Sequence, residues 1–342
     1  MKTHSDRLSI RAWLLLILSL PATALLCVCV GSVSIPPAQT LSAIADALLG
    51  RGSAAPLGNV IVNVRLPRVA AAALTGASLS LCGAAMQELL RNPLADGSTL
   101  GVSSGASLGA VTALTLGIAL PGFPLGGVML TAMLFAFLSL LAILSLAYAL
   151  DRSLSTSSII LIGVVFSMFA SSIMSLMIAF AGERARTVAF WTMGSLSGVG
   201  YVHVALLLVA LLICGGVLLA GARELNAFAI GEENARHIGV SVRRVKLTVL
   251  VAVSVLIGVC VSIGGTIGFV GLVTPHLARM VVGPNHRRLL PASLVSGAVF
   301  LMLSDMAART LLRPIELPIG VVTSMIGAVV FVIIFCRTRK VG

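Results

Sequence analysis

Ten stretches of this sequence stay apolar for about the length that a bilayer demands, and that repetition narrows the fold before any motif is read. A helix needs roughly 20 predominantly apolar residues to cross the hydrocarbon core. The stretches fall at 12–33, 66–90, 99–118, 126–149, 158–181, 203–221, 247–264, 269–282, 290–312 and 317–336. Charged residues make up only 10% of the chain, against about 25% in soluble domains. The expected fold class is therefore an all-α polytopic membrane protein with about ten transmembrane helices, forming one transmembrane domain over 1–342. The third and eighth stretches are rich in Gly and Ser or carry Pro275 and His276. Such segments are expected to be buried among other helices, where broken or polar backbone is tolerated. Gly76, Ala77, Gly83 and Ala84 on the second stretch permit close helix packing.

A net charge of +12 would suggest nucleic acid in a soluble protein. Here the charges sit in short loops, where basic excess marks the cytoplasmic side, so no nucleic-acid partner is expected. With the N-terminus inside, 16 of the 23 Lys and Arg residues fall inside and 7 outside. Both termini are then cytoplasmic, and five spans on each side of the middle give halves of opposite orientation, as in inverted-repeat transporters. Lys2, Arg7 and Arg11 before an apolar run resemble a signal peptide. The run is long enough to span and no A-x-A site follows, so it is read as the first span. The six cysteines lie in or at apolar segments without metal-ligand spacing and are read as small core residues. The segment from Pro37 to Gly50 has helical apolar spacing and is expected at the outer surface.

The longest charged run is 223–246, RELNAFAIGEENARHIGVSVRRVK. Within it GEENARHIGV predicts one short helix. Gly231 precedes it, Glu232 and Glu233 fall in its first turn, and Arg236 and His237 fall in its last. Gly239 follows as a cap. Acid at the start and base at the end both favour the helix dipole. Such a segment is either a solvated loop or a docking element for a soluble partner.

Four segments go further than "polytopic". They are Arg65–Gly109 (RLPRVAAAALTGASLSLCGAAMQELLRNPLADGSTLGVSSGASLG), Ser153–Val164 (SLSTSSIILIGV), the loop helix GEENARHIGV, and Gly264–Phe331 with GGTIGFVGLVTPHLARM, DMAAR and ELPIGVVTSMIGAVVF. In this order and register they resemble the FecCD family of importer permeases, the membrane subunits of ABC importers for iron–siderophores, haem and vitamin B12. The resemblance implies a type II ABC importer permease architecture and a second permease subunit, as homodimer or heterodimer. It also implies two ABC ATPase subunits beneath and an extracytoplasmic substrate-binding protein outside, in a bacterial cytoplasmic membrane. ATPase coupling would fall on Gly231, Glu232, Glu233, Ala235 and Gly239. A cytoplasmic gate would fall on Asn92 and Leu94 in RNPLA and on Thr156 and Ser157 in LSTS, the latter pair also suited to capping the fifth span. Binding-protein docking would fall on Arg65, Arg68 and Arg309, with Asp305 and Arg309 also spaced as an intrahelical pair. The family's Gly-Ala-Pro near the end is replaced here, with Val329 after Ala328, which removes an expected kink.

The chain has no Gly-x-x-x-x-Gly-Lys-Ser/Thr phosphate loop, so ATP and Mg would be used by the partner ATPase and no cofactor is expected on this chain. His276 beside Pro275 reads as structural rather than as a metal ligand. An ion-driven transporter would want acids deep in the membrane, and Glu88, Glu183, Asp305 and Glu316 map near span ends. No H-E-x-x-H or paired buried Asp suggests an intramembrane enzyme. The expected cargo is an iron(III)–siderophore complex, with vitamin B12 and haem as alternatives.

Overall fold

The computed structural model describes residues 10–31, 33–49, 56–120, 126–152 and 155–339. The described residues are helical apart from short connections. In chain order they form α1 (Ile10–Cys29), α2 (Pro37–Leu48), α3 (Leu57–Leu89), α4 (Val102–Leu116) and α5 (Gly126–Leu150). Then come α6 (Thr156–Phe180), α7 (Ala185–Thr192), α8 (Tyr201–Ala220), α9 (Ala222–Phe228) and α10 (Glu232–His237). The last are α11 (Val242–Gly264), α12 (Val270–Val282), α13 (His286–Thr310) and α14 (Ile319–Arg339).

Six of these helices are long and apolar enough to cross a bilayer, namely α3, α5, α6, α8, α11 and α13. The apolar parts of α1, α4, α12 and α14 are shorter and complete ten apolar segments. Helices α3 and α11 form the centre, with 83% and 72% of their most apolar windows buried, whereas α6 and α8 are 22% buried and lie at the periphery. Small residues explain the central position of α3. A Cβ at Gly76 would overlap the Gly297 carbonyl of α13, and one at Gly83 would overlap the Gly271 carbonyl of α12. The backbones therefore touch, as small-residue faces allow. Cys27, Cys29, Cys82 and Cys260 are buried core residues as expected, but Cys336 is exposed on α14. Helix α14 runs unbroken through Val329.

The third and eighth segments are broken rather than merely polar. Helix α4 has 15 residues and α12 has 13, about 22 and 20 Å at 1.5 Å per residue, short of the roughly 30 Å hydrocarbon core. A turn at Gly97–Leu100 precedes α4, and a non-helical stretch at 265–268 precedes α12. The breaks meet, because a Cβ at Gly271 would sit 2.5 Å from Asp96 Oδ1. Protein groups meet the backbone beside the second break: Ser195 N donates to Gly264 O at 2.8 Å. Gln87 Nε2 donates to the Gly271 and Leu272 carbonyls, at 3.3 and 3.2 Å. A polar cavity of about 310 Å³ lies at this junction, lined by Asp96, Ser103, Ser107, Thr75 and Thr266 among others.

Candidate functional site

The charged run 223–246 folds into two short helices where the sequence suggests one. The added helix, α9, buries Ala222, Leu225, Ala227 and Phe228. Asn226 fastens it: Oδ1 accepts from the His286 backbone N–H at 2.8 Å, and Nδ2 donates to Asn285 Oδ1 at 3.2 Å. Helix α10 begins and ends as its residues predict. Gly231 precedes it with φ +109°, and Ala235 N donates to Gly231 O at 2.9 Å. At its far end Gly239 N donates to Arg236 O and Val240 N to Ala235 O, each at 3.0 Å, with Gly239 at φ +89°. These two bonds around a left-handed glycine close the helix and satisfy its last carbonyls.

The faces of α10 differ. Ala235 is fully buried in the chain's own core and Glu232 is half-buried. Glu233, Asn234, Arg236, His237 and Gly239 are exposed. Two large apolar side chains flank them in the open, Ile230 at 55% and Ile238 at 63% exposure. Ala235, one of the residues on which the resemblance places ATPase coupling, thus faces its own chain rather than the open surface. Its small size serves packing of α10 onto its own chain.

Glu232 turns inward. Its Oε1 lies 2.7 Å from Lys246 Nζ and accepts a hydrogen bond from Thr156 Oγ1 at 3.2 Å. The Lys246 side chain is 2% exposed, although it begins a span from a strongly basic loop. Thr156 is the first residue of α6. Ser155 is the cap of that helix, its Oγ accepting from Ser158 N at 3.4 Å, so neither Thr156 nor Ser157 performs the capping the sequence allows them. Ser157 is exposed beside Thr156. Across a groove of about 500 Å³, the residues Leu90 and Arg91 at the end of α3 face Thr156 and Gly231–Asn234. The next residue, Asn92, shapes the turn: its Oδ1 accepts from Leu94 N at 2.9 Å over Pro93, leaving Leu94 51% exposed. One groove therefore gathers the ends of α3, α6 and α10.

Arg65, Arg68 and Arg309 lie together at the other end of the bundle, but not on an open surface. Arg65 is 7% exposed. Its Nη1 donates to the Val28 and Cys29 carbonyls at 2.7 and 3.2 Å, and its Nη2 to Val33 O. Arg309 is 5% exposed; its Nη2 donates to Cys27 O at 3.1 Å and its Nε lies 2.9 Å from Asp305 Oδ2. Arg68 bridges Asp305 Oδ1 at 3.0 Å and Glu316 Oε2 at 2.9 Å. The Arg65 and Arg309 guanidinium groups, on which the resemblance would place docking, cap the carbonyls at the end of α1 in this chain. Such cations suit a helix C-terminus. Asp305, near the end of α13, is spoken for by two arginines. His276 is half-buried on α12. Among the described residues no three His, Cys, Asp or Glu side chains converge to hold a metal.

Lys246, Arg91, Ser155 and Asn226 carry this geometry and were not singled out by sequence. Lys246 had a signal: Val242, Lys246, Val249, Leu250 and Val253 are all buried on one helical stripe. The other three had none beyond their type.

Known proteins resemble the chain along its whole length. The FecCD transport family matches residues 15–337. The uncharacterized ABC transporter permease protein YvrB of Bacillus subtilis is 46% identical over 287 residues, 83% of this chain and 80% of that protein. The vitamin B12 import system permease protein BtuC of Vibrio vulnificus is 39% identical over 332 residues, 96% of this chain and 95% of that one. The hemin transport system permease protein HmuU of Yersinia pestis is 37% identical over 288 residues, 82% and 84% of the two chains. A solved structure described as an inward-facing conformation of a metal-chelate type ABC transporter superposes with a TM-score of 0.84 at 31% identity, covering 96% of this chain and all of that one.

Proposed function

The chain belongs to the FecCD transport family and is an ABC importer permease, a transport subunit without catalytic activity of its own; we propose that its cargo is an iron(III)–siderophore complex carried inward across a bacterial cytoplasmic membrane. A second permease subunit, two ABC ATPases and an extracytoplasmic binding protein complete the transporter, and the ATPases use the ATP and Mg. The observation that carries the working parts is the single groove joining α3, α6 and α10. The exposed face of α10, with Ile230, Glu233 and Ile238, fits an ATPase surface. Asn92, Leu94, Thr156 and Ser157 beside it form the gate. Gly231 and Gly239 act by shaping α10, and Glu232 and Ala235 by seating it. Of Arg65, Arg68 and Arg309, the three residues proposed for docking, Arg68 is the most exposed and leads.

Vitamin B12 is the second reading of the cargo, favoured by the 39% identity over 96% of this chain to a vitamin B12 permease. Uptake by proteoliposomes holding the full transporter with its binding protein distinguishes them. ATP-dependent accumulation of iron(III)–siderophore, undiminished by excess cyanocobalamin or haemin, is the expected result. Accumulation of cyanocobalamin instead reassigns the cargo, and no ATP-dependent uptake of any of the three overturns the proposal.

A further inference from the structure

We propose that Glu232 and Lys246 are positioning residues that tie the movement of α10 to the gate, with Thr156 as the receiving group; the inference rests on the importer reading above. The observation is a three-residue chain of contacts between three elements. Lys246 stands at the base of α11, a central helix, and is buried with its ammonium 2.7 Å from Glu232 Oε1. The same oxygen accepts from Thr156 Oγ1 at 3.2 Å. One carboxylate oxygen thus joins the first residue of α10 to a fixed cation and to the first residue of the gate helix.

The asymmetry of the two partners gives the device its direction. Helix α11 is 72% buried and α6 only 22% buried over their apolar windows. A force on α10 therefore meets an α11 enclosed by its own chain and an α6 whose outer face its own chain leaves uncovered. Lys246 cannot leave its site without exposing an uncompensated buried charge, which is costly. Thr156 loses only one hydrogen bond to a charged group, a modest cost. Glu232 can consequently rotate about Lys246 and release or recapture Thr156. Gly231, at φ +109°, places the backbone hinge one residue before Glu232. The other gate turn lies within reach, since a Cβ on Gly231 would come 3.7 Å from Arg91 Nη1. The exposed residues Glu233, Arg236 and His237 remain free to meet the ATPase while Glu232 works inward.

The test uses the complete transporter in proteoliposomes, with wild type first shown to take up cargo with ATP. Absence of wild-type uptake would count against the importer reading, whereas the behaviour of the variants bears on the latch alone. Glu232→Gln, Lys246→Met and Thr156→Val are compared for cargo moved per ATP hydrolysed. A loss of about tenfold is expected, the size of one missing charge-assisted hydrogen bond. The exchanged pair Glu232→Lys with Lys246→Glu should regain part of it. In a Cys336→Ser background, Ser157→Cys should change its reaction rate with a soluble maleimide on ATP addition, and Thr156→Val should abolish that change. Unaltered cargo per ATP in Thr156→Val, or an unaltered ATP response at position 157, overturns the proposal. Should Lys246→Met fail to fold, the Thr156→Val result still decides, since it removes one half-buried hydroxyl and no charge.

Discussion

Asp305 illustrates how a residue that maps near a span end in the sequence becomes a buried structural charge. It is 1% exposed and lies between Arg68 and Arg309, which leaves it no route to water. Replacing it by Asn keeps the shape and removes the charge, leaving the buried Arg309 without a carboxylate and Arg68 with Glu316 alone. Breaking a buried pair in this way costs on the order of 3 kcal/mol. Asp305→Asn should therefore lower the thermal midpoint of the detergent-purified protein strongly, while Glu316→Gln, at a side chain 39% exposed, should lower it little. Equal midpoints for the two variants would contradict the burial argument. The spacing of Asp305 and Arg309 made their pairing legible, because residues four apart on a helix are neighbours. The capping of α1 by Arg65 and Arg309 was not legible, because the partners are backbone carbonyls brought together by the fold. Lys246 was half-legible: its place on an apolar stripe is in the sequence, but its distinction from Arg243 and Arg244 depends on which stripe faces the core.

Helix α10 shows the same division at the scale of an element. Its ends follow from Gly231, the acids, the bases and Gly239, all visible in order. Its inner and outer faces follow from Glu232 and Ala235 lying three apart, but which face is inner depends on α9, which has no periodicity long enough to announce itself. The consequence is a changed expectation for mutation. A Trp at Ala235 must be accommodated in a fully buried site, so Ala235→Trp should reduce folded yield and the thermal midpoint. Ile238→Asp, at a site 63% exposed, should leave stability within about 0.5 kcal/mol of wild type yet weaken co-purification of the ATPase severalfold. Size-exclusion chromatography and differential scanning measure both. Full ATPase retention by Ile238→Asp would place the ATPase contact away from this face. The broken third and eighth segments belong here too. Their Gly and Ser content signalled irregularity, but the meeting of Asp96 with Gly271 arises only when both are folded.

For the whole molecule, the count of Lys and Arg along the sequence argued for one sidedness, and the structure gives five of the seven residues counted outside a local partner, while Arg313 is exposed. Of the residues counted outside, Arg65, Arg68 and Arg309 are held by their own chain. Arg184 donates to Thr115 O at 2.9 Å and so serves the end of α4, and Arg186 lies 5.6 Å from the Phe190 ring centroid. Arg51 lies outside the described residues. Charges consumed by local partners have a reason to sit on either side, whereas the exposed basic residues Arg223, Arg236 and Arg244 share the α10 end. The positive-inside tendency therefore predicts a cytoplasmic position for that end. The two broken segments, third in each half, agree with halves inserted in opposite senses. Two exposed positions test the assignment. Cys336 lies on α14 and Ser197 in the connection between α7 and α8, toward opposite ends of the bundle. A membrane-impermeant maleimide should label Cys336 in inside-out vesicles but not in right-side-out ones. Ser197→Cys in a Cys336→Ser background should show the reverse. Labelling of Cys336 from the outside would turn the molecule over, placing α10 away from ATP and removing the basis for an ATPase on its exposed face.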